Sequence, residues 1–382
     1  MKVLWINPSF LDYRIPLYSN LYHLLDKNFY LLFSQKRNPE RVNNKIQLAL
    51  GENAIGTSDE KTYTIGKKSD FANKYISIPY QKDLYKRIKN TNPDIIIAEG
   101  FFQWTPWAVF YAWKNKKPLY IAYERTQHTE RNCPKWRSLY RKFISRFVSG
   151  FLANGIETLK YLEKENILKG KRVAEGCMCA DSEFLGKAVA LKTSEQRKQI
   201  KEQYLKTEDR GLVYLFVGQI IERKGVAQLL DAWTEYIKKY PKDSLLLVGG
   251  GPFFKKYSLE YKEVLGINFI GSVDYDQISD FYAIADVFIL PTLEDNWSLV
   301  IPEAMACRLP ITTTIYNGLY PDLVTKDNGF VFDSLKKESI LEALEYFHKE
   351  GTDLKKMGEI SFQIEQNYTP EMVAKRIINC IS

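Results

Sequence analysis

Histidine is scarce in this chain of 382 residues: there are three, His23, His128 and His348. The five cysteines are scattered and odd in number, and only Cys177 and Cys179 lie close together. Zinc-ligand spacing is therefore missing, and the cysteines read as small, reduced, buried residues of a reducing compartment. No uninterrupted apolar run approaches the ~18 residues that a membrane-spanning helix needs. The opening segment, MKVLWINPSF, turns polar too soon for a secretory leader and reads as a first buried strand. No glycine precedes Gly51, so the loop after that strand cannot approach a phosphate through bare backbone. Short-period repeats and base-reading motifs are also missing, which argues against a solenoid and against a nucleic-acid partner.

What is present fits a large folded protein. Hydrophobic residues make up 45% and charged residues 26%, enough for real cores in two or more domains. Charge is divided unevenly. Residues 1–190 hold 31 Lys and Arg against 18 Asp and Glu, a balance of +13, and the remainder holds 23 against 28, a balance of −5. The basic half would be drawn to an anionic membrane surface or an anionic acceptor.

Apolar runs alternate with helical stretches in both halves, which implies mostly parallel sheets covered on both faces. Expected strands in the first half are Val3–Ile6, Tyr30–Phe33, Tyr75–Ile78, Ile95–Ala98, Leu119–Ala122 and Gly150–Ala153, with helices near 16–26, 82–91, 104–114, 135–149 and 156–166. Residues 36–72 are polar and rich in Lys, Asn and Gly, and read as a long loop or irregular insert. Residues 182–210 are charged, mostly helical in composition, and contain the link between halves. The second half restarts at Leu212–Val217, followed by helix 226–240, strand Leu245–Val248, helix 254–264, strand Ile267–Ile270 and helix 276–285.

The most informative segment is 286–314, DVFILPTLEDNWSLVIPEAMACRLPITTT. A buried strand ends at Pro291 and an acidic turn follows. A short helix carries Glu303, and a new strand begins at Ile311. In an open α/β sheet the crevice beyond a strand's carboxyl end is where ligands sit. Unpaired N–H groups at a helix start suit a diphosphate, and the carboxylates of Asp295 and Glu303 suit sugar and ribose hydroxyls. Upstream, Gly218-Gln219-Ile220-Ile221-Glu222-Arg223-Lys224-Gly225 sits where the second half's first strand meets its first helix. There a glycine admits close backbone and a lysine reaches phosphate as a point charge. Gly249-Gly250-Gly251-Pro252 follows the next strand, either as a ligand loop or as a plain tight turn.

Together these segments resemble the retaining glycosyltransferases of family 4, which have the GT-B fold. Asp295 and Glu303 stand at the spacing of that family's two glutamates, with aspartate in the first slot, and Arg308 replaces glycine in its Gly-Leu-Pro turn. Lys224 matches the family's phosphate-binding lysine. Gln219 stands where the family has arginine, and Arg223 is the neighbouring cation able to replace it. The resemblance implies two Rossmann-like, doubly wound α/β domains facing a central cleft. Residues 1–190 would bind the acceptor and 191–368 the donor, with the final helix, 369–382, packing back on the first domain. It implies donor contacts from Gly218, Gln219, Arg223, Lys224, Gly250, Val273, Asp295, Asn296, Trp297, Ser298, Leu299, Val300 and Glu303. It implies catalytic roles for Lys224, for Asp295 and for His128, which would orient the sugar rather than act as a base. No metal is implied, because the phosphate site is already cationic, and no cofactor, because the nucleoside-diphosphate sugar, UDP before GDP, is a co-substrate.

For the acceptor, a glycan or a lipid-linked sugar of cell-surface polysaccharide or lipopolysaccharide, the candidates are Arg14, Glu99, Glu124 and Arg125. All four stand at expected strand ends or in the loops that follow them. The segment KWRSLYRKFISRF puts Trp136, Leu139, Tyr140, Phe143 and Phe147 on one helical stripe. That stripe is expected to cover the strand at 150–153, with the membrane interface as the alternative. The expected location is cytoplasmic, with a peripheral place on the inner membrane face left open. A GT-B phosphorylase or sugar-nucleotide epimerase, and a non-catalytic sugar-nucleotide-binding module, remain the competing readings.

Overall fold

Val3–Ile6 (β1) has no exposed residue, as a strand covered on both faces of a parallel sheet requires. The computed structural model describes residues 1–65, 69, 71–73, 76–205, 211–274 and 277–382. In chain order the next strands are Phe29–Ser34 (β2), Ala54–Thr57 (β3), Lys61–Ile65 (β4), Ile76–Tyr80 (β5), Ile95–Glu99 (β6), Leu119–Tyr123 (β7), Gly150–Ala153 (β8) and Arg172–Ala174 (β9). The first sheet runs β3-β2-β1-β6-β7-β8-β9, and its pairs are parallel. Alternate residues of β1 feed opposite cores, as the pleat demands. Val3 and Trp5 pack with Leu17, Tyr18 and Ile377, while Leu4 and Ile6 pack with Ile96, Ala108 and Ile144.

The final helix, Pro370–Ile381, belongs to this first unit, which comprises residues 1–181 and 368–382. Thr369 caps it by accepting from the Met372 N–H, and proline occupies its first turn. Val373, Ala374, Ile377 and Ile381 are buried in the same core as Leu17 and Leu21.

The second unit is residues 182–367. Its strands are Val213–Val217 (β10), Ser244–Val248 (β11), Ile267–Gly271 (β12), Val287–Leu290 (β13), Ile311–Thr314 (β14) and Gly329–Phe332 (β15), paired in parallel in the order β12-β11-β10-β13-β14-β15. Both sheets share one plan: strand order reverses between β1 and β6 in the first and between β10 and β13 in the second.

Several expectations need correction. Residues 36–72 are not an irregular insert. They contain the helix Glu40–Leu50, whose Val42, Ile46 and Leu50 recur at helical spacing and are buried, then β3 and β4. The strand expected at Tyr75–Ile78 lies partly outside the described residues. What is described, β5, pairs antiparallel with β4 and stands apart from the main sheet. Residue 276, expected to begin a helix, and residues 206–210 also lie outside the described residues. The helix Ser182–Ala190 groups with the second unit, because it packs on the helices Ile278–Ile284 and Val300–Ala306. His348 is built in: its Nε2 lies 2.7 Å from Asp243 Oδ2 and its ring stacks on Tyr240. Finally, the expected stripe divides: Trp136, Leu139 and Phe143 face outward, while Tyr140 and Phe147 pack on the core that holds Phe151 of β8. The buried side of that helix also carries Arg141, paired with Glu130 at 2.6 Å.

Candidate functional site

The loops that leave β10 and β13 diverge from adjacent strands, which opens the crevice where α/β sheets take ligands. The expected donor residues fall on four consecutive strand ends of this sheet. Val273 follows β12, Gly250 follows β11, Gly218 to Lys224 follow β10, and Asp295 to Glu303 follow β13. Backbone contacts knit these loops together. The Ile220 N–H donates to Gly250 O at 2.8 Å, and the Leu293 N–H donates to Arg223 O at 2.8 Å. At Gly249, φ is +140° and a Cβ would stand 1.9 Å from Gly218 O, so only glycine allows the two loops to lie so close.

Charge converges on one carboxylate. Lys224 Nζ lies 2.7 Å from Asp295 Oδ2 and Arg223 NH1 lies 3.3 Å from the same oxygen. Asp295 is clamped through its backbone, since its N–H donates to Tyr316 O and its carbonyl accepts from the Gly318 N–H. Its other carboxylate oxygen accepts from the Trp297 N–H at 3.2 Å. Burial pushes the Asp295 carboxyl up, but Lys224 and then Arg223 outweigh it and hold it below the usual carboxylate range. Two cations thus share one carboxylate. Glu303, in the first turn of the helix Val300–Ala306, accepts from Tyr282 OH at 3.2 Å. Tyr282 and the Asn317-Gly318 turn after β14 escaped the sequence reading. The Asn-Gly pair was a turn signal, whereas nothing local marked Tyr282.

In the first unit the acceptor candidates separate. Arg14 NH2 meets Glu99 Oε1 at 3.0 Å, and Trp5 Nε1 donates to Glu99 Oε2 at 3.0 Å. Tyr13 feels Arg14, Glu124 and Glu99, so these three candidates share one neighbourhood at the carboxyl ends of β1, β6 and β7. Burial raises the Glu99 carboxyl, with Arg14 opposing. Burial also works against the Arg14 charge, and Glu99 together with Tyr18 and Tyr13 outweighs it. Arg125 turns instead toward Glu130, at 3.8 Å. His128 lines a hollow of ≈ 760 Å³ together with Glu130, Arg131 and Tyr161.

Residues 196–363 match the sequence family described as Glycosyl transferases group 1. They form a glycosyltransferase group 1 domain. That domain spans β10 to β15 and holds the Lys224–Asp295 crevice. Over 191 residues the chain is 30% identical to the alpha-monoglucosyldiacylglycerol synthase of Acholeplasma laidlawii, covering 48% of this chain and 46% of that one. The chain spans less than half the length of the curated relatives it matches. Solved structures match across its whole length. Anabaena Alr3699/HepE in complex with UDP has a TM-score of 0.74 at 13% identity, with 99% of each chain covered. The lipopolysaccharide outer core galactosyltransferase WaaB has 0.68 at 14%, with 100% of this chain and 99% of that one covered. The two α/β units therefore have the GT-B fold, with the group 1 domain as the second.

Proposed function

We propose that this chain is a retaining, metal-independent glycosyltransferase of family 4. It moves a sugar from a nucleoside-diphosphate sugar, UDP-linked by preference, to a glycan or lipid-linked acceptor of a cell-surface polysaccharide or lipopolysaccharide. The observation that carries this reading is the meeting of Lys224 and Arg223 on Asp295 across the β10/β13 switch point. The complexed neighbour, HepE with UDP, supports the choice of base.

In the reaction the bond from the sugar's anomeric carbon to the diphosphate breaks. The bond to the acceptor oxygen forms on the same face, and the acceptor's proton passes to the departing diphosphate. Negative charge grows on that leaving group. Lys224 and Arg223, already oriented by Asp295, stabilise it without reorganisation, which is usually the largest catalytic contribution. The backbone from Trp297 to Val300 holds the same group. Asp295 accepts from sugar hydroxyls and Glu303 from ribose hydroxyls. His128 steadies the sugar as positive charge develops on it. Arg14, Glu99 and Glu124 hold acceptor hydroxyls.

Thermal shift against nucleoside diphosphates and their sugars tests the donor, because a specific ligand stabilises by mass action. UDP and a UDP-sugar should raise Tm, and the product anomer read by NMR should keep the donor's configuration. A full panel without a shift defeats the site assignment. An inverted product defeats the retaining mechanism.

A further inference from the structure

We propose that the outer faces of two first-unit helices, Thr105–Asn115 and Lys135–Ser145, form a docking surface for a lipid bilayer with anionic headgroups. The first helix is apolar nearly all round. Ala108, Val109 and Ala112 point into the core, yet Trp107, Phe110 and Trp113 face out, Trp113 with 63% exposure. The second helix buries Ile144 and Arg141 and turns Trp136, Leu139 and Phe143 outward, Leu139 with 67% exposure. These six side chains recur at three- and four-residue steps, so each set makes one stripe. A soluble surface has no use for two such stripes side by side.

The stripes are neighbours. Phe102, just before the first helix, stacks on Tyr140 and meets Trp136 edge-on. At the far ends of the helices, a hollow of ≈ 310 Å³ brings Trp113, Lys116 and Lys117 beside Arg146 and Phe147.

Charge selects the occupant. Residues 100–123 and 131–156 contain no Asp or Glu at all, while Lys114, Lys116, Lys135 and Arg146 are exposed around the aromatic stripes, as is Lys142, 3.9 Å from Glu165. Aromatic and leucine side chains at the acyl boundary, with lysine and arginine at headgroup level, are the composition of an interfacial helix. A second copy of this chain fits worse, because an isologous contact would set the same cations against one another. Among the described residues no helix is long and apolar enough to cross a membrane, so the attachment is one of lying on the bilayer. It is independent of the sugar-transfer reading, since none of these residues belongs to the crevice.

Co-sedimentation of the full chain with phosphatidylcholine vesicles, with and without phosphatidylglycerol, tests the proposal. The protein should pellet with anionic vesicles and not with neutral ones. It should be released by salt, and acyl-brominated lipid should quench its tryptophan fluorescence. Trp113→Ser/Phe143→Ser and Lys114→Glu/Lys142→Glu should each weaken vesicle binding by about tenfold or more, with Tm and nucleotide-induced shift unchanged. Equal binding by parent and variants, or equal binding to neutral vesicles, overturns the proposal. So does a dimer that the variants dissociate, or an RNA affinity that they abolish.

Discussion

The two sheets follow one plan, yet their switch points are furnished differently. Between β10 and β13, two cations meet one carboxylate, and glycine loops crowd the backbone around them. Between β1 and β6, one cation meets one carboxylate, and the pair is walled by Trp5, whose indole also donates to Glu99. The first arrangement gathers two cations in one place and suits an anion. The second sets one cation among the carboxylates of Glu99 and Glu124 and suits hydroxyls. The same topology therefore leaves the chemistry open, and the loop residues decide it.

The largest effect is expected in the Arg14–Glu99 pair. The side chains of Arg14 and Glu99 are 5% and 27% exposed, so Arg14→Leu leaves a partly buried carboxyl without its cation and should cost about 3 kcal/mol. The sign of the pH dependence follows from Glu99 lying above its ordinary range when folded. Its contribution is full below the unfolded value of about 4.3 and is lost as pH rises through the folded value. Removing Arg14 lifts that value further, so urea unfolding should show the variant losing stability more steeply than the parent from acid to neutral pH. Arg14→Leu/Glu99→Gln should regain most of the loss and flatten the curve. A single variant as stable as the parent would show that the pair does not hold the first switch point together.

Next comes the cation nearest to Asp295. Lys224→Ala leaves Asp295 with Arg223 alone, at 3.3 Å. Transfer from a UDP-sugar should fall about 10²–10³-fold, the loss typical of one preorganised donor at a developing anion. Here the pH sign is the reverse. Asp295 lies below its ordinary range, so its contribution is present above the unfolded value of about 3.9 and is lost as pH falls through the folded one. Without Lys224 that acid loss should begin at higher pH. Unaltered transfer would mean that the second switch point does not neutralise a leaving group.

Much of this contrast was legible in the sequence. Buried parallel strands are continuous apolar runs, so β1, β8 and β13 could be read directly, and the motifs that carry Lys224 and Asp295 anticipated two loops that the structure brings together. What was not legible depended on distant partners. Tyr282 reaches Glu303 from another helix. Val42, Ile46 and Leu50 had helical spacing, but the Lys- and Asn-rich residues between them hid it. The outward turn of Trp136 and Phe143 follows from Glu130 drawing Arg141 inside, an ion pair that no local pattern announces.

The smallest expected effect separates backbone crowding from backbone conformation. Gly249, at the end of β11, and Gly100, at the end of β6, both have positive φ, +140° and +66°. A Cβ on Gly100 would meet nothing within 4 Å, whereas on Gly249 it would stand 1.9 Å from Gly218 O. Gly100→Ala should therefore cost only the left-handed strain of about 1–2 kcal/mol. Gly249→Ala adds to a comparable strain of about 1–3 kcal/mol a forced separation of the loops after β10 and β11. That separation moves Gly218 and Gln219 away from the crevice. Tm should drop in both variants, but the nucleotide-induced shift should shrink only in Gly249→Ala. If donor binding survives there unchanged, the close approach of these loops serves folding alone, and the glycine-lined crevice is not what grips the diphosphate.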